Sequence, residues 1–337
     1  MKVKPQVSVC VCHHKGPFIY KFVDSVKKSE GVDYEIIVVT SDGELAGKGI
    51  PGCFVINGPQ MPAAKRNMGA RLANTNYLAF FDDDVEIDKN CLYEMYQTLK
   101  HINHVGMVYG KLHKADEPTR FDEAGGYLTS TGFIWSRAGQ NIVDEGQFDK
   151  LESIFAGKSA SCMIKKHIFE KVKGFDEDFE ILGEESDLSW RVWLYGYEVW
   201  FEPSATGIHY FNTKFKPAKE YYTSKRVHFN GCRNYTVMLL KNLETYNLWK
   251  ILPIHVLAWS VASISMILTG KFGAGINILK GLSYVIIKLP YILEKRRKVQ
   301  DKRVVTDEQL WPYIFRRPPK GYYTQRFFRY LSIGLHG

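Results

Sequence analysis

The 337-residue chain lacks the markers of several common chemistries. Its six cysteines include no Cys-x-x-Cys pair and no zinc-like ligand spacing, which argues against a metal ribbon and against a dithiol redox site. Cys10 and Cys12 lie two apart in a strand-like run, so they share one face and read as small packing residues in a reducing compartment. A signal-peptide core is missing too. Met1 is followed by Lys2 and Lys4 and then by Val7–Cys12, an apolar run too short for export and without a cleavage site. The region that follows is therefore expected to stay inside the cell. Nor does the first strand lead into a Gly-rich basic phosphate loop, since Val9–Gly16 is not one.

Acidic charge is in short supply overall. Lys and Arg number 45 against 36 Asp and Glu, a formal net charge of +9, which points to an anionic partner. The excess is uneven: Glu294-Lys295-Arg296-Arg297-Lys298, Lys302-Arg303 and Arg316-Arg317 crowd the last part of the chain, behind an apolar stretch. That placement suits a membrane surface better than an aromatic-lined groove, so no nucleic-acid partner is expected. A hydrophobic content of 45% supports a full core and excludes a disordered chain.

The first half alternates as an α/β sheet would. Val7–Cys12, Glu35–Thr40, Cys53–Ile56 and Tyr77–Phe81 read as strands, with helices over Phe18–Val26, Ala63–Ala73 and Lys89–Lys100 between and after them. From Lys111 to Gly157 the pattern turns to long loops with some strand, of the kind that build a substrate pocket. Strand Cys162–Lys165, helices His167–Lys173 and Glu184–Tyr195, and short strands Val199–Phe201 and Gly207–Tyr210 follow. The expected domains are residues 1–215, divided near 110, then an amphipathic helical connector at 216–248, in which Tyr221–Lys241 presents a basic face. A hydrophobic helix pair at 249–300 and a basic C-terminal tail at 301–337 complete the chain. The pair, Ile251–Thr269 and Phe272–Ile292, is long enough for a membrane hairpin, for a re-entrant or interfacial pair, or for two buried helices of a soluble subdomain. Its flanking Lys and Arg would put both ends on the cytoplasmic face of the cell membrane.

Two acidic clusters carry the chemistry. Asp82-Asp83-Asp84 follows a buried strand, where like charges repel unless a cation sits among them. Magnesium or manganese, or calcium, fits such hard oxygens, and a solvated acidic turn is the plain alternative. Glu184-Glu185-Ser186-Asp187 opens a helix, where acids gain from the dipole, and it could equally supply a general base. His209 ends an apolar stretch and is either a core residue or a partner to the metal site opposite Asp84.

In this order, Val7-Ser8-Val9, Tyr34-Glu35-Ile36-Ile37-Val38-Val39, Ala64-Lys65-Arg66-Asn67-Met68-Gly69, Phe81-Asp82-Asp83-Asp84, Ser159-Ala160-Ser161-Cys162-Met163-Ile164, Gly174-Phe175-Asp176-Glu177 and Glu184-Glu185-Ser186-Asp187-Leu188 with Arg191 resemble family 2 glycosyltransferases, and among them rhamnosyltransferase-like single-addition enzymes. The resemblance implies a GT-A (Rossmann-like) mixed sheet flanked by helices, with a C-terminal hydrophobic helical segment that associates with a membrane. It implies a nucleoside-diphosphate sugar donor held by Asp42, Lys65, Arg66, Asn67, Asp82 and Asp83, with Mn2+ or Mg2+ on Asp82, Asp84 and His209. Glu185 stands where the family usually has its catalytic Asp, with Asp187 and Glu184 also in contention. The family's Asp-Asp after the second strand is replaced by Thr40-Ser41 followed by Asp42, and the first strand ends in Cys12-His13-His14, two residues that could touch nucleotide or cap the strand. No Gln-x-x-Arg-Trp sequence of the processive synthases occurs, which favours single addition. The expected activity is inverting transfer of one sugar to a polyprenyl-linked or cell-surface polysaccharide acceptor. A nucleotidyltransferase, or a non-catalytic glycan- or nucleotide-binding membrane adaptor on the same fold, is the alternative.

Overall fold

The computed structural model describes residues 4–139, 142–211 and 225–333. Val7–His13 (β1) lies parallel between Tyr34–Thr40 (β2) and Tyr77–Asp82 (β4), with Phe54–Asn57 (β3) parallel on the far side of β2. These strands read as near-continuous apolar runs because both faces of the sheet are covered. Val9, Val11, Ile36 and Val38 pack on one side with Ile19 and Phe22 of helix α1 (Phe18–Val26) and Met95 of helix α4 (Cys91–His101). Cys10, Ile37, Val39 and Phe80 face the other side, towards helix α3 (Pro62–Leu72) and a core that continues through Met107, Tyr109 and Cys162. Cys10 is a packing residue, as expected, lying so close to α3 that a Cβ on Gly69 would come within 3.1 Å of its own Cβ.

Beyond β4 the sheet becomes mixed. Ser161–Lys165 (β11) runs antiparallel to both β4 and Val105–Lys114 (β6), and Glu198–His209 (β12) returns parallel to β6. The full order is β10-β12-β6-β11-β4-β1-β2-β3, with Glu152–Ser153 as β10. One consequence decides the location of the site: β1, β2, β4, β6 and β12 all end on the same edge, at His13, Thr40, Asp82, Lys114 and His209. Ligands of open sheets bind at such an edge. The two short strands expected between Val199 and Tyr210 are one strand with a register break between Glu202 and Thr206, where Pro203 cannot donate to the ladder. The loop-like stretch holds Phe121–Glu123 (β7) against β6 and the ribbon of Gly126–Leu128 (β8) with Ile134–Ser136 (β9).

The remaining short helices are Gly43–Lys48 (α2), Lys166–Lys171 (α5) and Glu184–Leu194 (α6). After them come Lys225–Asn242 (α7), Thr245–Leu268 (α8), Phe272–Ile287 (α9), Leu289–Gln300 (α10), Asp307–Ile314 (α11) and Tyr322–Ile333 (α12). The expected connector helix differs from expectation: α7 is buried nearly all round between α6 and the C-terminal helices, and its supposed basic face points inward. Lys241 pairs with Asp176 and Asp187, and Arg233 donates to the Asp178 carbonyl at 2.8 Å. The start of the expected helix, Tyr221–Ser224, lies outside the described residues. The apolar pair is also resolved differently, since the second segment breaks at Lys288 and α10 leaves α9 at 68°. The basic tail folds back on the molecule. Thr306 and Gln309 form a capping box on α11, and Asp307 accepts from Arg303, from Asn247 and from the Glu244 amide.

Candidate active site

Asp82 is the last residue of β4, and Asp83 and Asp84 turn the chain into Val85–Ile87 (β5). That short strand pairs with the end of β12, so His209 lies opposite Val85 and the Tyr210 amide donates to the Asp84 carbonyl at 2.8 Å. The pairing brings one imidazole to two carboxylates from far along the chain. His209 Nε2 lies 3.5 Å from Asp84 Oδ1, and ligand atoms of Asp82, Asp84 and His209 all fall within 4.8 Å of one another.

Behind His209 stands Asp122 of β7, whose Oδ2 takes the Nδ1 position at 2.7 Å and also accepts from Lys158 at 2.8 Å. Burial opposes charge on His209, but the Asp122 and Asp84 carboxylates outweigh it and lift the imidazole pKa to about 10. Burial likewise opposes the Asp122 carboxylate, and Lys158 and His209 outweigh it and hold its pKa well below the usual range. A cation is what these carboxylates call for at the His209 position. Two hard oxygens and an imidazole whose other nitrogen is fixed by a carboxylate form a donor set that could hold a divalent ion such as Mn2+. Asp122 was not visible in the sequence as a site residue: it sits in the irregular stretch, 87 residues from His209, with no spacing to flag it.

Arg66 of α3 joins the two acidic clusters. Its Nη2 donates to Asp82 at 2.7 Å and its Nη1 to Glu184 at 3.2 Å, at the start of α6. Burial works against the guanidinium charge, and Asp82 and Glu184 more than restore it, holding the pKa above its ordinary value. Glu185 is half-buried beside Glu184. Burial first, and then the Glu184 charge, push the Glu185 pKa well above the carboxylate range. A carboxyl held this way is suited to proton transfer near neutral pH.

The other expected residues divide. Asp83 is buried, 3.8 Å from His13 Nε2. His13 also meets Thr40 Oγ1 at 2.8 Å, so it laces the ends of β1 and β2, and His14 meets Ser41 at 2.9 Å. Lys65 donates to the His13 carbonyl at 2.6 Å and to Ser41 at 3.0 Å, under the same edge. Asp42 caps α2, accepting from Glu44 and Leu45 amides, and those bonds hold its pKa down. Two residues do not face the cleft. The Asn67 amide is taken up by Phe175 backbone in both directions and by Glu177. Asp187 is fully buried and bound to Arg191, Lys241 and Asn242, which removes it as a proton acceptor at the cleft.

Residues 8–172 match the model of glycosyl transferase family 2. No curated protein matches the chain in sequence. Among solved structures, the crystal structure of GalNAc-T7 with UDP, GalNAc and Mn2+ superposes with a TM-score of 0.53 at 15% identity, covering 73% of this chain and 49% of that one. S. aureus TarS 1–349 in complex with UDP gives a TM-score of 0.47 at 14% identity, covering 74% of this chain and 70% of that one. The chain thus spans about half the length of the first of these. At 15% identity the likeness to the GalNAc-T7 structure is one of fold, and it bears out the GT-A architecture that the family resemblance implies.

Proposed function

We propose, from the match of residues 8–172 to the glycosyl transferase family 2 model, that this protein is a glycosyltransferase that moves one sugar from a nucleoside-diphosphate donor to an acceptor hydroxyl with inversion. The observation that carries the reading is the pairing, across Arg66, of the Asp82, Asp84 and His209 set with a carboxyl of raised pKa at Glu185. Asp82, Asp84 and His209 would hold Mn2+ or Mg2+, which when bound neutralises charge on the departing diphosphate. Glu185 takes the proton of the acceptor hydroxyl, and attack from the face opposite the diphosphate inverts the anomeric centre. Arg66 keeps the donor-side and acceptor-side carboxylates at fixed separation. Asp42, Lys65 and Asp83 shape the end of the sheet where the nucleotide would lie. The GalNAc-T7 structure holds UDP and Mn2+, which makes UDP-sugars the first donors to try. A polyprenyl-linked or polysaccharide acceptor at the cytoplasmic face of the membrane is part of the same proposal, supported by the exposed apolar helices taken up below.

A panel of nucleotide sugars with Mn2+, Mg2+ or EDTA, read by nucleotide release, tests the reading. Release is expected with one donor class, lost in EDTA and in Asp84→Ala. Glu185→Gln should slow transfer by about 10²- to 10⁴-fold. If no donor releases nucleotide, the fold serves as a binding adaptor; pyrophosphate release from a sugar phosphate and a nucleoside triphosphate would mark a nucleotidyltransferase instead.

A further inference from the structure

Helix α8 is the one described helix long and apolar enough by itself to cross a membrane, and 33% of its most apolar window is buried inside the protein. The burial is one-sided. Ile251, His255, Trp259, Ala262 and Met266 form the inner face. Ile254, Leu257, Val261, Ile264 and Leu268 form an outer stripe at alternating three- and four-residue steps, with Leu257 63% and Leu268 81% exposed. Helix α9 repeats the arrangement: Gly275, Ile278, Gly281 and Val285 face inward, while Phe272, Ile276, Leu279 and Ile286 face out.

The inner faces are fastened along their length. A Cβ on Gly281 would come 3.0 Å from the Phe229 carbonyl of α7, and one on Gly275 would come 2.7 Å from the Ser263 carbonyl of α8. On α8, His255 lies 4.4 Å, centroid to centroid, from Phe133, accepts from Trp259 at 3.0 Å and meets the Thr131 carbonyl. A helix that crosses a bilayer must leave the body of the protein, and α8 could do so only by tearing this seam. Charge names what lies against the outer stripe. From Thr245 to Leu293 there is no Asp or Glu, while Lys250, Lys280 and Lys288 are exposed at the rim. Apolar stripe and unopposed lysines together match the interface of an anionic bilayer.

We infer that α8 and α9 form a monotopic docking face that lies in the plane of an anionic membrane surface and does not span it. The inference stands on this geometry and not on the transfer chemistry. Phe133 ties the face to the buried helix α7: its ring lies 6.4 Å from that of Tyr235.

Flotation of the full chain with phosphatidylcholine vesicles, with and without phosphatidylglycerol, tests the inference. Binding is expected to need the anionic lipid, to weaken with salt, and to fall about tenfold or more in the double variant Leu257→Glu, Ile264→Glu. Both sites are exposed, so the variant should keep its unfolding midpoint and its nucleotide release in solution. Nitroxides placed through Leu257→Cys, Val261→Cys, Ile264→Cys and Leu268→Cys, with the signal of labelled wild type subtracted, should report one shallow depth. A depth gradient approaching about 1.5 Å per residue along the helix would mean a span and overturn the inference. So would a protein that never floats, a variant that floats undiminished, or a dimer that the Glu substitutions split, which would make a second copy the occupant.

Discussion

Glu184 and Glu185 stand side by side at the start of α6, and their unequal partners separate their roles. Glu184 Oε1 accepts from Arg66 at 3.2 Å, while its Oε2 is buried with no hydrogen-bond partner among the described residues. Glu185, as the proposed base, must be deprotonated to act, and its pKa is raised, so kcat/KM should climb with pH through a limb lying above the ordinary carboxylate range. Glu184→Gln removes the neighbouring charge and so lowers the Glu185 pKa. The expected outcome is an acid limb displaced to lower pH, read from a full pH profile of kcat/KM. A limb that stays in place would mean that burial alone sets the shift, and one that moves upward would contradict the assignment of Glu185.

At the scale of elements, α7 braces α6 from behind. Asn234 donates to the Ile181 carbonyl at 2.8 Å and to the Leu182 carbonyl at 2.7 Å, on the turn that delivers Glu184 and Glu185. Leu182 and Gly183 both have positive φ, 70° and 87°. For a leucine this conformation costs on the order of 1–2 kcal/mol, so the turn needs outside support. Asn234→Ala should lower kcat by about 10-fold with KM little changed, because the base is misplaced while donor binding is not; Glu185→Gln in the same background should then cost less than it does alone. This brace was not legible beforehand. Lys241 and Arg233 have the spacing of a solvated basic face, and the partners that receive them, the Asp176 and Asp187 carboxylates and the Asp178 carbonyl, come at no local spacing. Strand β6 was missed for a related reason. Its Gly106 and Gly110 weaken the strand pattern, yet a Cβ at Gly110 would lie 2.6 Å from the Ala205 carbonyl, so tight packing against β12 requires glycine there. In contrast, β1, β2 and β4 were plain in the sequence, since burial on both faces leaves them uninterrupted apolar runs.

Across the whole molecule, the site exists because five strands end on one edge and because β5 carries the acidic turn to the tip of β12. The acidic half of the proposed metal set could be read locally from Asp82-Asp83-Asp84, and His209 could be named as its candidate partner. The Asp122 carboxylate behind it could not, because only the closed sheet places β7 there. Folding and ligation are therefore linked: an ion that binds the native edge and not the unfolded chain raises stability by RT ln(1 + [L]/Kd), about 2.7 kcal/mol at a concentration of 100 Kd. For a chain of this length that is a rise of several degrees, roughly 2 °C per kcal/mol. Wild type should show such a rise in unfolding temperature with saturating Mn2+, larger when UDP is added, and Asp84→Ala should show none. Asp122→Asn keeps the shape of the carboxylate but loses the charge that fixes the His209 ring, and should weaken Mn2+ binding by about 10- to 100-fold. At the same Mn2+ concentration its stabilisation should then be smaller by about 1.3–2.3 kcal/mol. Calorimetric titration of Mn2+ into the variant checks the affinity directly, without turnover. An Asp122→Asn protein that folds as well as wild type and binds Mn2+ equally tightly would show that His209 is oriented by its place in β12 alone, or that it is not a ligand.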